Sequence, residues 1–129
     1  MNAPPRTVLA VVPDLFFATK IAATAKVAGV QLELVPHQRA LARANEPGAA
    51  LVLLDLHAPD AVALVSALKS AHPALPVVGF FSHVEVALRQ AALAAGADAA
   101  LPRSAFVSRL PELLQRGLAA LPSTAGGAS

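Results

Sequence analysis

The chain contains no cysteine, no tryptophan and no tyrosine, and only 14% of its residues carry charge. Without cysteine there is no disulfide, no zinc–thiolate centre and no thiol nucleophile. Without indole or phenol rings, a base-stacking surface for nucleic acid has little to build on. The ten basic residues are dispersed and the formal charge is only +2, so nucleic-acid binding is not expected. No uninterrupted apolar run reaches bilayer-spanning length. Met1-Asn2-Ala3-Pro4-Pro5-Arg6 has no apolar core of a secretory leader. A cytoplasmic protein with no membrane contact is the expectation. Ser66, Ser70 and Ser82 have no flanking glycines, so there is no nucleophile elbow and no enzyme is expected.

What is present is apolar: 56% of 129 residues, much of it alanine. That length suits one domain with one core. The reading places it over residues 7–121, with 1–6 as an N-terminal extension and 122–129 as a flexible Gly/Ser/Ala tail. Thr7 to Val12 reads as a buried strand. Phe16 to Ala28 has helical spacing, with Phe17, Ile21, Ala25 and Ala28 on one face and Gly29 as its stop. Gln31 to Val35 alternates as a strand, and Pro36 to Ala44 reads as a short helix. Leu51-Val52-Leu53-Leu54 does not alternate, which is the pattern of a strand buried on both faces of a parallel sheet. Asp60 to Ala71 is a helix with Val62, Val65 and Leu68 inward. Pro76 to Phe81 is a strand, with Phe80 and Phe81 packing on opposite faces. Ser82-His83-Val84-Glu85 has capping-box form at the head of a helix running to Ala95. Ala99 to Leu101 is a fifth strand. Ser104 to Leu110 reads as a turn or loose helix, and Pro111 as the first position of a last helix ending at Leu121.

Five strand–helix repeats with short connections predict an α/β fold: a doubly wound parallel sheet with helices on both faces. A dinucleotide-binding half would need Gly-x-Gly-x-x-Gly after the first strand, where this chain has Pro13-Asp14-Leu15-Phe16. The carboxyl edge of such a sheet is where ligands and chemistry gather. Delivered there are Pro13 and Asp14, Asp55 and His57, Phe81 with Ser82 and His83, and Pro102 with Arg103. Asp14 and Asp55 repel unless a divalent ion or a basic side chain lies between them. The plainest arrangement is a bidentate Asp55–Arg103 ion pair, with Asp14 as the N-cap of the first helix. A metal site using His57, His83 and a carboxylate is a further option. His37 and His72, beside prolines, are expected in solvent.

Taken with the element order, Leu53-Leu54-Asp55-Leu56-His57-Ala58-Pro59, Leu75-Pro76 and Ala94-Ala95-Gly96-Ala97 resemble a response-regulator receiver domain. This is the CheY-like module phosphorylated on aspartate in two-component signalling. The resemblance covers about residues 6 to 121 and implies a flavodoxin-like (βα)5 sandwich with strand order 2-1-3-4-5. It places the phosphoacceptor at Asp55 and one Mg²⁺-holding acid at Asp14, while Pro13 replaces the other. His57 falls where the family offers a backbone carbonyl to the metal. The phosphoryl-closing hydroxyl falls at Phe81, with Ser82 one position late and so facing elsewhere. The phosphoryl-pairing cation falls at Arg103, and the aromatic switch at Ala100. Asp55-Leu56-His57 is also similar to the start of the Asp-x-His-x-x-Gly motif of cobalamin-binding domains. Asp60 stands in the glycine's place there, and the motif follows the wrong strand.

These departures imply weak Mg²⁺ binding and a dismantled phosphoryl relay. The leading expectation is a stand-alone atypical receiver, or pseudo-receiver, that docks on a histidine kinase, a scaffold or a second copy of itself. The resemblance puts the docking face at Val84–Ala95 and Ala99–Leu121, with Glu85, Arg89, Gln90, Arg109, Glu112 and Arg116 as candidate exposed residues. The alternatives are a working Mg²⁺-dependent phosphoacceptor at Asp55 and a small-molecule binder held between Asp14 and Phe81.

Overall fold

The computed structural model describes residues 6–82 and 85–121. In chain order the elements are β1 (Thr7–Val11), α1 (Leu15–Ala28), β2 (Gln31–Leu34), α2 (His37–Asn45), β3 (Ala49–Asp55), α3 (Ala61–Ala71), β4 (Val77–Phe81), α4 (Val86–Ala94), β5 (Ala99–Pro102) and α5 (Arg103–Arg116), followed by a short 3₁₀ turn at Gly117–Ala120. The five strands form one parallel sheet in the order β2-β1-β3-β4-β5. The expected α/β doubly wound architecture and strand order are therefore observed.

Alternation along each strand builds two apolar layers. Leu51, Leu53, Val78 and Phe80 face α1 and α5, where they meet Phe17, Ile21, Phe106 and Leu110. Val52, Leu54, Val77 and Phe81 face the opposite layer, packing with Leu64, Val65, Leu68 and Ala92. Phe80 and Phe81 do part to opposite faces, as adjacent strand residues must. At the amino edge, Lys69 Nζ donates to the Leu75 carbonyl at 2.8 Å and to Asp98 Oδ2 at 2.9 Å. Asp98 Oδ2 also accepts from the Val77 amide at 2.8 Å, which ties α3 to the start of β4.

Three local expectations are corrected. The last helix does not begin at Pro111: α5 runs unbroken from Arg103 through it. Phe106, Leu110, Leu113 and Leu114 form one buried stripe across the proline, and that packing outweighs the hydrogen bond Pro111 cannot donate. The capping box at Ser82–Glu85 does not form in the expected way. Helix α4 begins at Val86, with Glu85 at the N-cap and no side-chain cap bond. Ser82 is still at the sheet edge, its amide turned to His57; His83 and Val84 lie outside the described residues. Finally, His37 and His72 are half-buried rather than free in solvent, and the His72 ring meets Asn45 Oδ1 at 2.6 Å.

Candidate functional site at the carboxyl edge of the sheet

A three-residue link joins β1 to α1, and its last residue, Asp14, is the helix N-cap with extended backbone. Asp14 Oδ1 accepts from the Phe16 amide at 3.0 Å and the Phe17 amide at 3.2 Å. This is the cap expected from sequence. Arg103, the first residue of α5, donates from Nη2 to Asp14 Oδ2 at 3.3 Å. Its guanidinium also lies over the Phe17 ring, with Cζ 3.8 Å from the ring centroid. Phe17 meets Phe80 edge-on at 5.1 Å, and Phe80 stacks on Phe106 at 4.5 Å. The cation thus sits on a stack of three aromatic rings. The Phe17 amide bond leads in holding the Asp14 carboxyl below the usual carboxylate range; Arg103 and the Phe16 amide add to it, against partial desolvation.

The expected Asp55–Arg103 ion pair is absent, because Arg103 pairs with Asp14. Its position explains the choice: α5 packs on the α1 side of the sheet, where Phe17 and the capping carboxylate offer the guanidinium a face and an acceptor together. Asp55 ends β3 half-buried. Its Oδ1 accepts from the His57 amide at 2.9 Å, an Asx turn that starts the β3–α3 loop. Asp55 makes no ion pair among the described residues.

His57 has a role that its sequence position does not reveal. Its Nε2 accepts from the Ser82 backbone amide at 3.0 Å, so the neutral ring carries its proton on Nδ1. The residue therefore bridges the end of β3 to the end of β4. Leu56, between Asp55 and His57, is buried and sits opposite Gly79. A Cβ on Gly79 would lie 2.7 Å from the Leu56 side chain. Phe81 and Ala100 are both buried in the α3/α4 layer, so neither brings a hydroxyl or a mobile aromatic to the edge. Ser82 is exposed and meets the site through its amide alone among the bonds described.

The donors that the resemblance assigns to Mg²⁺ are reduced here to the Asp55 carboxylate, whose Oδ2 has no partner among the described residues, and the His57 backbone carbonyl. Asp14 is committed to the helix cap and to Arg103, Pro13 supplies no side-chain donor, and the His57 acceptor nitrogen is taken by Ser82. Among the described residues no three His, Asp or Glu side chains converge as a metal site requires. The His57–His83 metal option falls on His83, outside the described residues.

The expected docking face carries a groove of about 490 Å³ between α4 and β5, lined by Phe81, Ser82, Glu85, Val86, Arg89 and Pro102, with Ser104. Glu85, Arg89, Gln90, Glu112 and Arg116 are exposed there as expected. Arg109 is not: it is half-buried, and its Nη1 donates to the Ala120 carbonyl at 3.3 Å. The 3₁₀ turn after α5 folds back onto it.

No protein-family model matches the chain, and no curated protein matches it by sequence. Solved structures do match. The receiver domain of NtrX from Brucella abortus is 26% identical with a TM-score of 0.75, covering 87% of this chain and 98% of that one. The chemotaxis response regulator CheY4 of Vibrio cholerae is 23% identical with a TM-score of 0.75, covering 89% and 100%. A CheY-like receiver domain protein from Methanospirillum hungatei is 18% identical with a TM-score of 0.73, covering 88% and 97%.

Proposed function

We propose that this chain, a CheY-like response-regulator receiver domain, acts in two-component signalling mainly by docking on other proteins, with its phosphoryl chemistry degenerate. The observation that carries this reading is the placement of Arg103. The cation that would neutralise a phosphoryl group on Asp55 is held instead by Asp14 and the Phe17 ring. Phe81 stands at the hydroxyl's place without a hydroxyl, and Ala100 stands at the switch aromatic's place without a ring, both buried in the core. In place of that relay, His57 fixes the β3 and β4 ends to each other.

The docking surface in this reading is the α4–β5–α5 face. Its groove offers Val86 and Pro102 as apolar contact and Glu85 and Arg89 as charged rim. A histidine kinase, a scaffold protein or a second copy of the chain would be the partner. The protein would be no enzyme in its own right, would take no nucleic acid and would work in the cytoplasm. No helix among the described residues is long and apolar enough to cross a membrane.

A second reading keeps Asp55 as a phosphoacceptor, favoured by one fact. Only Oδ1 of Asp55 has a hydrogen-bond partner among the described residues, which leaves Oδ2 free to attack. Incubation with acetyl phosphate and Mg²⁺, followed by intact-mass measurement, separates the two. Attack by the carboxylate on phosphorus would release acetate and form an acyl phosphate. No mass gain is the outcome expected of the degenerate reading. A phosphoryl mass gain that disappears in Asp55→Asn would establish the phosphoacceptor instead.

A further inference from the structure

A second concavity lies at the same edge of the sheet but away from the acid corner. It opens beyond the carboxyl ends of β1 and β2, beside the loop that follows β3, on the edge at which doubly wound sheets bind ligands. Its volume is about 480 Å³, within the range of small-molecule sites. Three loops wall it, and each contributes a proline: Pro13 after β1, Pro36 after β2 and Pro59 after β3. Proline fixes its own backbone angle and offers no amide, so these walls are stiff and apolar before any ligand arrives. Two large apolar side chains stand on the rim in water, Leu15 at 77% exposure and Leu34 at 48%. They are two of only five large apolar residues so exposed among those described.

One formal charge lines the cleft, that of Asp60. Asp60 occupies the N-cap of α3, a place where aspartate ordinarily spends its carboxylate on the helix amides. Here its backbone is left-handed, φ 59°, and the side chain makes no cap bond. Its carboxylate has no hydrogen bond or ion pair among the described residues, and only its backbone carbonyl accepts, from the Leu64 amide. The cleft therefore combines a preformed apolar wall with a single uncompensated negative charge. Neither Asp14, Asp55 nor Arg103 lines it.

We propose that this cleft binds a small apolar amine, with its hydrocarbon part against Leu15, Leu34 and the three prolines and its ammonium on the Asp60 carboxylate. Neutral and anionic molecules of the same shape would gain the apolar contact without the charge. The site is independent of the docking reading, since it uses neither the acid corner nor the α4–β5 groove.

Amide NMR of the full chain, titrated with phenethylamine and separately with the similarly sized anion hydrocinnamate, tests it. Phenethylamine is expected to give saturable shifts at Leu34, Val35, Gln38 and Asp60. Hydrocinnamate is expected to bind about fivefold more weakly or worse, the factor that one exposed charge contact supplies. Asp60→Asn should erase that preference while leaving the fold intact, because asparagine accepts the left-handed backbone readily. Leu15→Ser, at an exposed position, should weaken both molecules. Absence of saturable shifts with phenethylamine, equal affinity for the two molecules, or an amine preference unchanged in Asp60→Asn would each overturn the proposal.

Discussion

Asp14 does two jobs with one carboxylate, capping α1 and receiving Arg103. Because its folded-state acidity is raised, the stability it contributes is complete above the usual carboxylate range. That contribution is lost as the pH falls through its lower folded value. Asp14→Ala should therefore lower the melting temperature by a few degrees near neutral pH, and the gap from the parent should close in strong acid; thermal melts across the acid range measure it. The cap itself could be read from sequence, since an aspartate directly before an amphipathic run has one obvious use. The partner of Arg103 could not. It depends on which side of the sheet α5 packs and on an aromatic ring three residues into α1, neither of which is local to Arg103. The Ser82–His57 bond was illegible for the same reason, joining residues 25 apart through a loop conformation.

Helix α5 illustrates a conflict between local preference and packing. Proline inside a helix costs about 3 kcal/mol relative to alanine, yet the buried stripe of Phe106, Leu110, Leu113 and Leu114 carries the helix through Pro111. Pro111 is exposed, so its ring meets no core residue that replacement would disturb. Pro111→Ala should accordingly stabilise the protein by about 1–2 kcal/mol, seen as a higher urea midpoint at unchanged slope. Reading Pro111 as a helix start followed the local signal correctly and lost to tertiary burial. The same tension explains α4, whose capping-box sequence is overridden because Ser82 still belongs to the sheet edge. Helix α1 shows the opposite case: Phe17, Ile21 and Ala25 are buried on the face their spacing indicates, and Gly29 closes the helix with φ 72°.

The doubly wound architecture and the two-layer core were the most legible parts of the protein, while the strand order followed from the receiver resemblance. An unbroken Leu51–Leu54 run can be satisfied only by apolar cover on both faces, and five strand–helix units leave few ways to provide it. The layers differ in texture. The α1/α5 side is built around Phe17, Phe80 and Phe106, while the α2/α3/α4 side is mainly aliphatic. Phe106 is completely buried between the other two rings and α5. Phe106→Ala should cost about 3–5 kcal/mol in equilibrium unfolding, far more than any single change at the exposed acid corner. The candidate site was legible as a list of residues and illegible as a network, because its pairings are decided by layer membership.

The three-ring stack has one more consequence, in spectroscopy. With neither tryptophan nor tyrosine in the chain, its near-ultraviolet optical activity can arise only from phenylalanine, and three of the five phenylalanines are packed in that single stack beneath Arg103. The sharp vibronic bands of near-ultraviolet circular dichroism thus form an intrinsic, label-free gauge weighted to that corner, with Phe81 in the opposite layer the other buried contributor.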